Sequence, residues 1–210
     1  MREVFKKYMN DEIKFDKDTM ISIISLIIVI SGVVGWVYEF IFYYFNGGMK
    51  IFYMQGGNFM PWINIYAIGA IMIILLTYKL KKKPFLVFLI SFISTGILEY
   101  FSGYFIYKIG NGTRYWNYNT EILNFGNIDG FVCLRSVLVF GLAALVLIYI
   151  LIPMFIYLSK KINKKTFKRI CLILLIIIIS DEIYNLVFTR LFDLPSAIHI
   201  YKDLGFKYVK

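Results

Sequence analysis

Five apolar runs constrain this chain more than any other feature. They cover about residues 20–45, 62–78, 85–107, 132–158 and 170–191. Each approaches the ~20 residues that a helix needs to cross a hydrocarbon core. The pattern predicts an all-α, polytopic integral membrane helix bundle with about five transmembrane helices. On that reading residues 1–19 are a charged tail, 20–191 the bundle, and 192–210 a second tail. Structured outer loops are expected at 46–61 and 108–131. Composition agrees, with 60% hydrophobic residues and a mean hydropathy of +0.70, more than a soluble domain of this length carries. The formal net charge of +10 does not point to nucleic acid. The cations cluster in short loops between apolar runs, and no reading module accompanies them.

Those loops set direction. The first tail carries Arg2, Lys6, Lys7, Lys14 and Lys17. The loop after the second run reads "KLKKK", and the loop after the fourth reads "KKINKKTFKR". The loops between hold only Lys50, and then Lys108 and Arg114. The positive-inside rule therefore places the N-terminus in the cytoplasm and the C-terminus outside. Arg190, Lys202, Lys207 and Lys210 in the last tail weigh against this and are outvoted. The basic runs are expected to hold their loops inside and to attract anionic lipid. The charged start and the long first run argue against a cleavable signal peptide. Cys133 and Cys171 fall near opposite faces and read as small packing residues. "NGT" at Asn111 fits a glycosylation acceptor formally.

The acids are distributed one-sidedly. Glu3, Asp11, Glu12, Asp16 and Asp18 lie in the first tail, and the two basic loops have none. Glu39, Glu99, Asp181 and Glu182 lie inside apolar runs, and Arg135 begins the fourth. At ~1.5 Å rise per residue all five charges fall in the outer half of the bundle. Isolated charges there cost several kcal/mol, whereas a wet shared cavity lets them hydrate, pair or take up protons. Arg135 is the expected counter-ion for Glu99 or Glu182. The alternative is that these groups are interhelical clasps, and Glu39 could simply reach the headgroups beside Trp36 and Tyr38. Runs one and three echo each other, with "EF" and "EY" at the acid and Tyr-Phe five and six residues on. Each is followed by an outer segment with a Trp and an Asn, which fits a duplicated helix pair.

Over about residues 28–141 the chain resembles a family of small polytopic bacterial membrane proteins, the "putative ABC-transporter type IV" family. The resemblance rests on Gly35, Trp36 and Glu39, then on "MPWINIYAIGA" with Pro61, Ile65, Tyr66, Gly69 and Ala70. It continues through Glu99 and Tyr100, "YWNYN", and Asn127, Gly130, Cys133 and Leu134. The chain departs from the family pattern at Met60, Asn64, Ala67, Tyr115, Asn117 and Phe131. Asn117 and Phe131 stand where the family has an Asp and an Arg, and Arg135, one turn on, is a candidate stand-in. The resemblance implies a permease in a bacterial inner membrane.

Three functions follow. The first is a transport or substrate-binding subunit. Glu39, Glu99, Arg135, Asp181 and Glu182 would form an outward-facing polar cavity, roofed by Trp62, Asn64, Tyr66, Trp116 and Asn117. Carboxylates there would hold a cation or relay protons, and aromatics would stack on it. The second is an accessory, assembly or sensor protein. The third is a membrane-embedded enzyme acting on a lipid or peptide, although no nucleophile or metal-ligand motif supports it and no catalytic residue is assigned. His199, the single histidine, reads as a surface residue, and Ser102 as a packing partner of Gly103. No cofactor or metal is indicated. The chain lacks a phosphate-cradling G-x-x-x-x-G-K-[ST] loop, so ATP-driven transport would require a separate ATPase. The expected partners are the lipid bilayer, such an ATPase or another membrane subunit, and further copies of the chain; no nucleic acid is expected.

Overall fold

The computed structural model describes residues 1–46, 53–54 and 57–208. Helix α1 covers Arg2–Met9, α2 Lys17–Asn46 and α3 Asn64–Thr77, which tightens into a 3₁₀ turn over Tyr78–Leu80. Helix α4 covers Pro84–Ile109, α5 Leu134–Lys161 and α6 Lys164–Leu191. Helix α7 covers Ala197–Asp203. Wide π turns interrupt α5 at Leu147–Leu151 and α6 at Tyr184–Phe188. Strands β1 (Tyr53–Met54) and β2 (Lys207–Tyr208) pair in parallel. Much of the loop expected at 46–61 lies outside the described residues.

The fold is all-α, as the apolar runs predict. Four described helices, α2, α4, α5 and α6, are long and apolar enough to cross a membrane. The fifth expected span is shorter. Helix α3 and its 3₁₀ turn rise about 27 Å, short of a ~30 Å core. Trp62 and Ile63, expected inside that span, precede the helix. Trp62 Nε1 donates to the Ile28 carbonyl at 3.2 Å, and Ile63 N–H donates to the Gly32 carbonyl at 3.2 Å. Those bonds hold the segment against α2 before it turns helical.

Local chemistry sets the helix ends. Asp16 caps α2, its carboxylate accepting from Thr19 N–H at 3.1 Å and Thr19 Oγ1 at 2.7 Å. Asn163 caps α6 through Lys165 N–H. Pro84 opens α4, where its missing N–H costs nothing. Four hydroxyls within the apolar helices are satisfied internally: Ser22, Ser25, Thr77 and Thr95 each donate to a carbonyl four residues back.

The described residues divide into two compact units, one drawn from 1–12 and 69–154, the other from 13–68 and 155–208. In the first, α4 packs on α5 through small residues, which let helices approach closely. A Cβ on Gly96 would stand 2.9 Å from Val137, and one on Gly141 would stand 2.7 Å from the Phe88 ring. In the second, α2 packs on α6, and Val29, Trp62, Ala67 and Ile178 form a buried cluster. Gly32 and Gly35 leave room on α2 for the rings of Trp62 and Tyr66.

The basic loops make specific contacts with the first tail. Lys81 is buried. Its ammonium pairs with Asp11 and lies over the rings of Tyr78 and Tyr8, at 4.4 and 5.2 Å. In the other unit Lys164 pairs with Asp16 and Lys168 with Asp18, each at 2.8 Å. These three lysines are engaged by acids of the first tail. The ammonium hydrogen bonds hold Asp11 and Asp16 below the ordinary carboxylate range. Cys133 and Cys171 are free and buried, as packing residues would be.

Candidate functional site

In the first unit the site is built around Glu99. It projects from α4 on the stripe Ser91, Thr95, Glu99 and Gly103, all buried and spaced by four residues. The absence of a side chain on Gly103 admits Phe131 and Trp116; a Cβ there would stand 2.9 and 3.1 Å from them. The loop 110–133 thereby folds back onto the last turns of α4. Trp116 Nε1 donates to the Phe131 carbonyl at 2.8 Å, and Tyr118 N–H donates to the Gly130 carbonyl at 3.0 Å.

Those bonds deliver Tyr118, whose hydroxyl donates to Glu99 Oε1. Ser136 Oγ lies 2.6 Å from Glu99 Oε2. Ser136 also completes the capping box of α5, accepting from Cys133 N–H at 3.3 Å. Glu99 is only 5% exposed, so a carboxyl inside a candidate span is met by two hydroxyls. Burial and the neighbouring Glu99 charge push the Tyr118 phenol well above its ordinary value, which keeps it a donor.

Arg135, expected as a counter-ion for Glu99 or Glu182, acts on Glu99 through its charge but makes its direct ion pair elsewhere. Its guanidinium donates to Glu121 Oε2 at 2.6 Å and to the Ile122 carbonyl at 2.9 Å. It also lies 5.3 Å from the centre of the Tyr118 ring. The ion pair is thus Arg135–Glu121, within a loop that returns to its own helix. Separation of 14 residues hid this pairing, because loop closure rather than helical periodicity brings the partners together.

In the second unit Asp181 is buried and binds the 57–63 segment. It accepts from Phe59 N–H at 3.0 Å, Met60 N–H at 2.6 Å and Asn185 Nδ2 at 2.8 Å. Its neighbour Glu182 accepts from Asn58 Nδ2 at 3.1 Å, and Asn64 adds a second side-chain interaction. Glu39 accepts from Tyr66 at 3.0 Å. Of the residues singled out in the sequence, Asn64 with Glu182 and Tyr66 with Glu39 are brought together. Trp62 and Trp116 serve backbone carbonyls, and Asn117 Oδ1 accepts from Asn119 N–H at 3.2 Å. Tyr118, Ser136 and Asn58 escaped the sequence reading. Of these only Tyr118 carried a signal, the "YWNYN" stretch.

Four long apolar helices, two of which carry a buried carboxylate, define a multi-pass membrane protein. A family-wide profile described as "Putative ABC-transporter type IV" matches residues 26–186. The chain belongs to that family. No curated protein and no solved structure matches it.

Proposed function

We propose that the chain is a transport or substrate-binding subunit whose embedded carboxylates handle a proton or a cationic group on the outer side. The observation that carries this reading is Glu99: a carboxyl buried in a candidate span and served by two hydroxyl donors. Ionisable groups at such positions mark proton and ion pathways. Glu182, half-buried and bonded to Asn58, is the counterpart in the other unit. Tyr66, Trp62, Trp116 and Asn117 order the segments that approach these acids.

An N-in, C-out insertion follows from the loop charges. It is supported by the first tail pairing with Lys81 in one unit and with Lys164 and Lys168 in the other. ATP-driven movement requires a separate ATPase, and a second copy would enlarge a small gate. An accessory or assembly role is favoured by one contrary observation. Asp181 is occupied by two backbone N–H groups and Asn185, as a purely structural clasp would be.

Carbodiimide labelling of reconstituted protein separates the readings, because the reagent attacks protonated carboxyls reachable from the membrane. Modification is expected at Glu99, read by mass spectrometry, with loss of the adduct in Glu99→Gln at unchanged melting temperature. Failure of both Glu99 and Glu182 to react in folded protein would sink the transport reading and leave the clasp.

A further inference from the structure

A second polar site lies beside the last turns of α4, apart from the carboxyl of Glu99. It is an open groove of about 530 Å³, within the ~300–1,000 Å³ range of small-molecule sites. Its floor is Phe131, whose ring meets Tyr100 edge-on at 5.7 Å. Tyr100 and Tyr104 stack in parallel at 6.4 Å. Arg114 lies 4.3 Å above Phe131 and 4.8 Å above Tyr107, and its Nη1 donates to the Asp129 carbonyl at 2.8 Å. Lys108 stands over Tyr104 at 5.5 Å.

The loop is organised around this groove. Asp129 and Gly130 are both left-handed, at φ 55° and 76°. Asp and Asn are the non-glycine residues that adopt this conformation most readily, and Asp129 does so here. The turn brings Arg114, Asn117 and Asn119 so close to Gly130 that a Cβ would stand 2.6–2.7 Å from each. Asn127 fixes the turn from both ends, donating to Asn119 Oδ1 at 2.7 Å and accepting from Gly130 N–H at 2.9 Å.

Among the described residues, Lys108, Arg114 and Asp129 form no ion pair; Asp129 Oδ2 accepts from the Tyr100 hydroxyl at 3.0 Å, which fixes the carboxylate at the groove without neutralising it. The groove therefore presents two cations and one carboxylate. A simple anion would satisfy Arg114 and Lys108 and be repelled by Asp129. A ligand carrying both an anion and an ammonium satisfies all three.

We infer that this groove binds a phosphate ester bearing a neighbouring ammonium group, of the phosphoethanolamine class. The phosphate lies on the Arg114 fork and Lys108, since guanidinium donors match phosphate oxygens. The ammonium lies on the Asp129 carboxylate and the faces of Tyr100 and Tyr104. The same chemistry is offered by a free solute and by a lipid headgroup, and the end of a candidate span beside a tyrosine stripe is within reach of both.

The test is calorimetric titration of O-phosphoethanolamine into the full-length protein in phosphatidylglycerol nanodiscs. Saturable binding is expected, tighter than that of inorganic phosphate. Affinity should fall about tenfold in Arg114→Gln and in Asp129→Asn, and less in Lys108→Gln. Asparagine tolerates the left-handed turn and Lys108 is exposed, so these two variants decide the matter even if Arg114→Gln misfolds. Discs that also contain phosphatidylethanolamine identify the source: loss of the soluble signal assigns a lipid headgroup, and an unchanged signal assigns a free solute. No binding in phosphatidylglycerol discs together with no enrichment of phosphatidylethanolamine around the protein overturns the inference. Wild-type affinity in both Asp129→Asn and Lys108→Gln overturns it equally.

Discussion

Glu99 and Glu39 occupy matching places in the two units and are treated differently. Each follows a glycine by three or four residues, each precedes an aromatic, and each accepts from a tyrosine in the segment after its helix. Both segments also carry a tryptophan that donates to a backbone carbonyl. Around Glu99 a second hydroxyl, from Ser136, completes the shell, and the carboxyl is buried. Glu39 is half-buried and Tyr66 leans on the bare face of Gly35. The same carboxylate–tyrosine pair is thus buried in one unit and half-exposed in the other. Burial, and not residue type, decides which acid the fold depends on.

The largest effect is expected from Glu99→Ala. It leaves the buried Tyr118 hydroxyl without its acceptor, while Ser136 keeps the Cys133 carbonyl at 2.8 Å, and opens a void, at a combined cost of about 3 kcal/mol. Thermal unfolding in detergent should show this as a clear drop in Tm, and a neutral result would remove the distinction between the two acids. Gly35→Ala comes next. Its Cβ would stand 2.1 Å from the Tyr66 ring, so the ring must move off Glu39, costing about 2 kcal/mol. Glu39→Ala should cost under about 1 kcal/mol, because water can replace the carboxylate as acceptor for the half-buried Tyr66 hydroxyl; a loss equal to that of Glu99→Ala would show that burial does not separate the two sites.

The smallest effect is one of pH. Asp11 and Asp16 have lowered folded-state values, so their contribution is complete above about pH 4 and disappears as pH falls through those lowered values. Melting temperatures at pH 7 and pH 3 should differ less in Asp16→Asn than in the wild type.

The helices were legible because apolar runs of membrane length leave little choice of fold. Their ends were not: α6 begins at Lys164, within a basic loop, because Asn163 caps it there. Helix α3 is shorter than its apolar run because Trp62 and Ile63 bond to α2. At the site, the acids and Tyr66 could be picked out as polar residues in greasy surroundings. The pairing of Arg135 with Glu121 could not, since it depends on how the loop 110–133 closes. Ser136 could not either, because a serine at a helix start looks like a cap and nothing more.

The tail contacts bear on how the protein is made. Asp18 lies at the start of the chain, and its partner Lys168 emerges 150 residues later. At ~5–20 residues per second, roughly 8–30 s of synthesis separate the two. Throughout that interval the ribosome holds a nascent chain whose Asp18 lacks its final counter-charge, although Lys81 emerges sooner to meet Asp11. Closure of these two ends is a late event in assembly, after the last hydrophobic helix has begun to leave the exit tunnel.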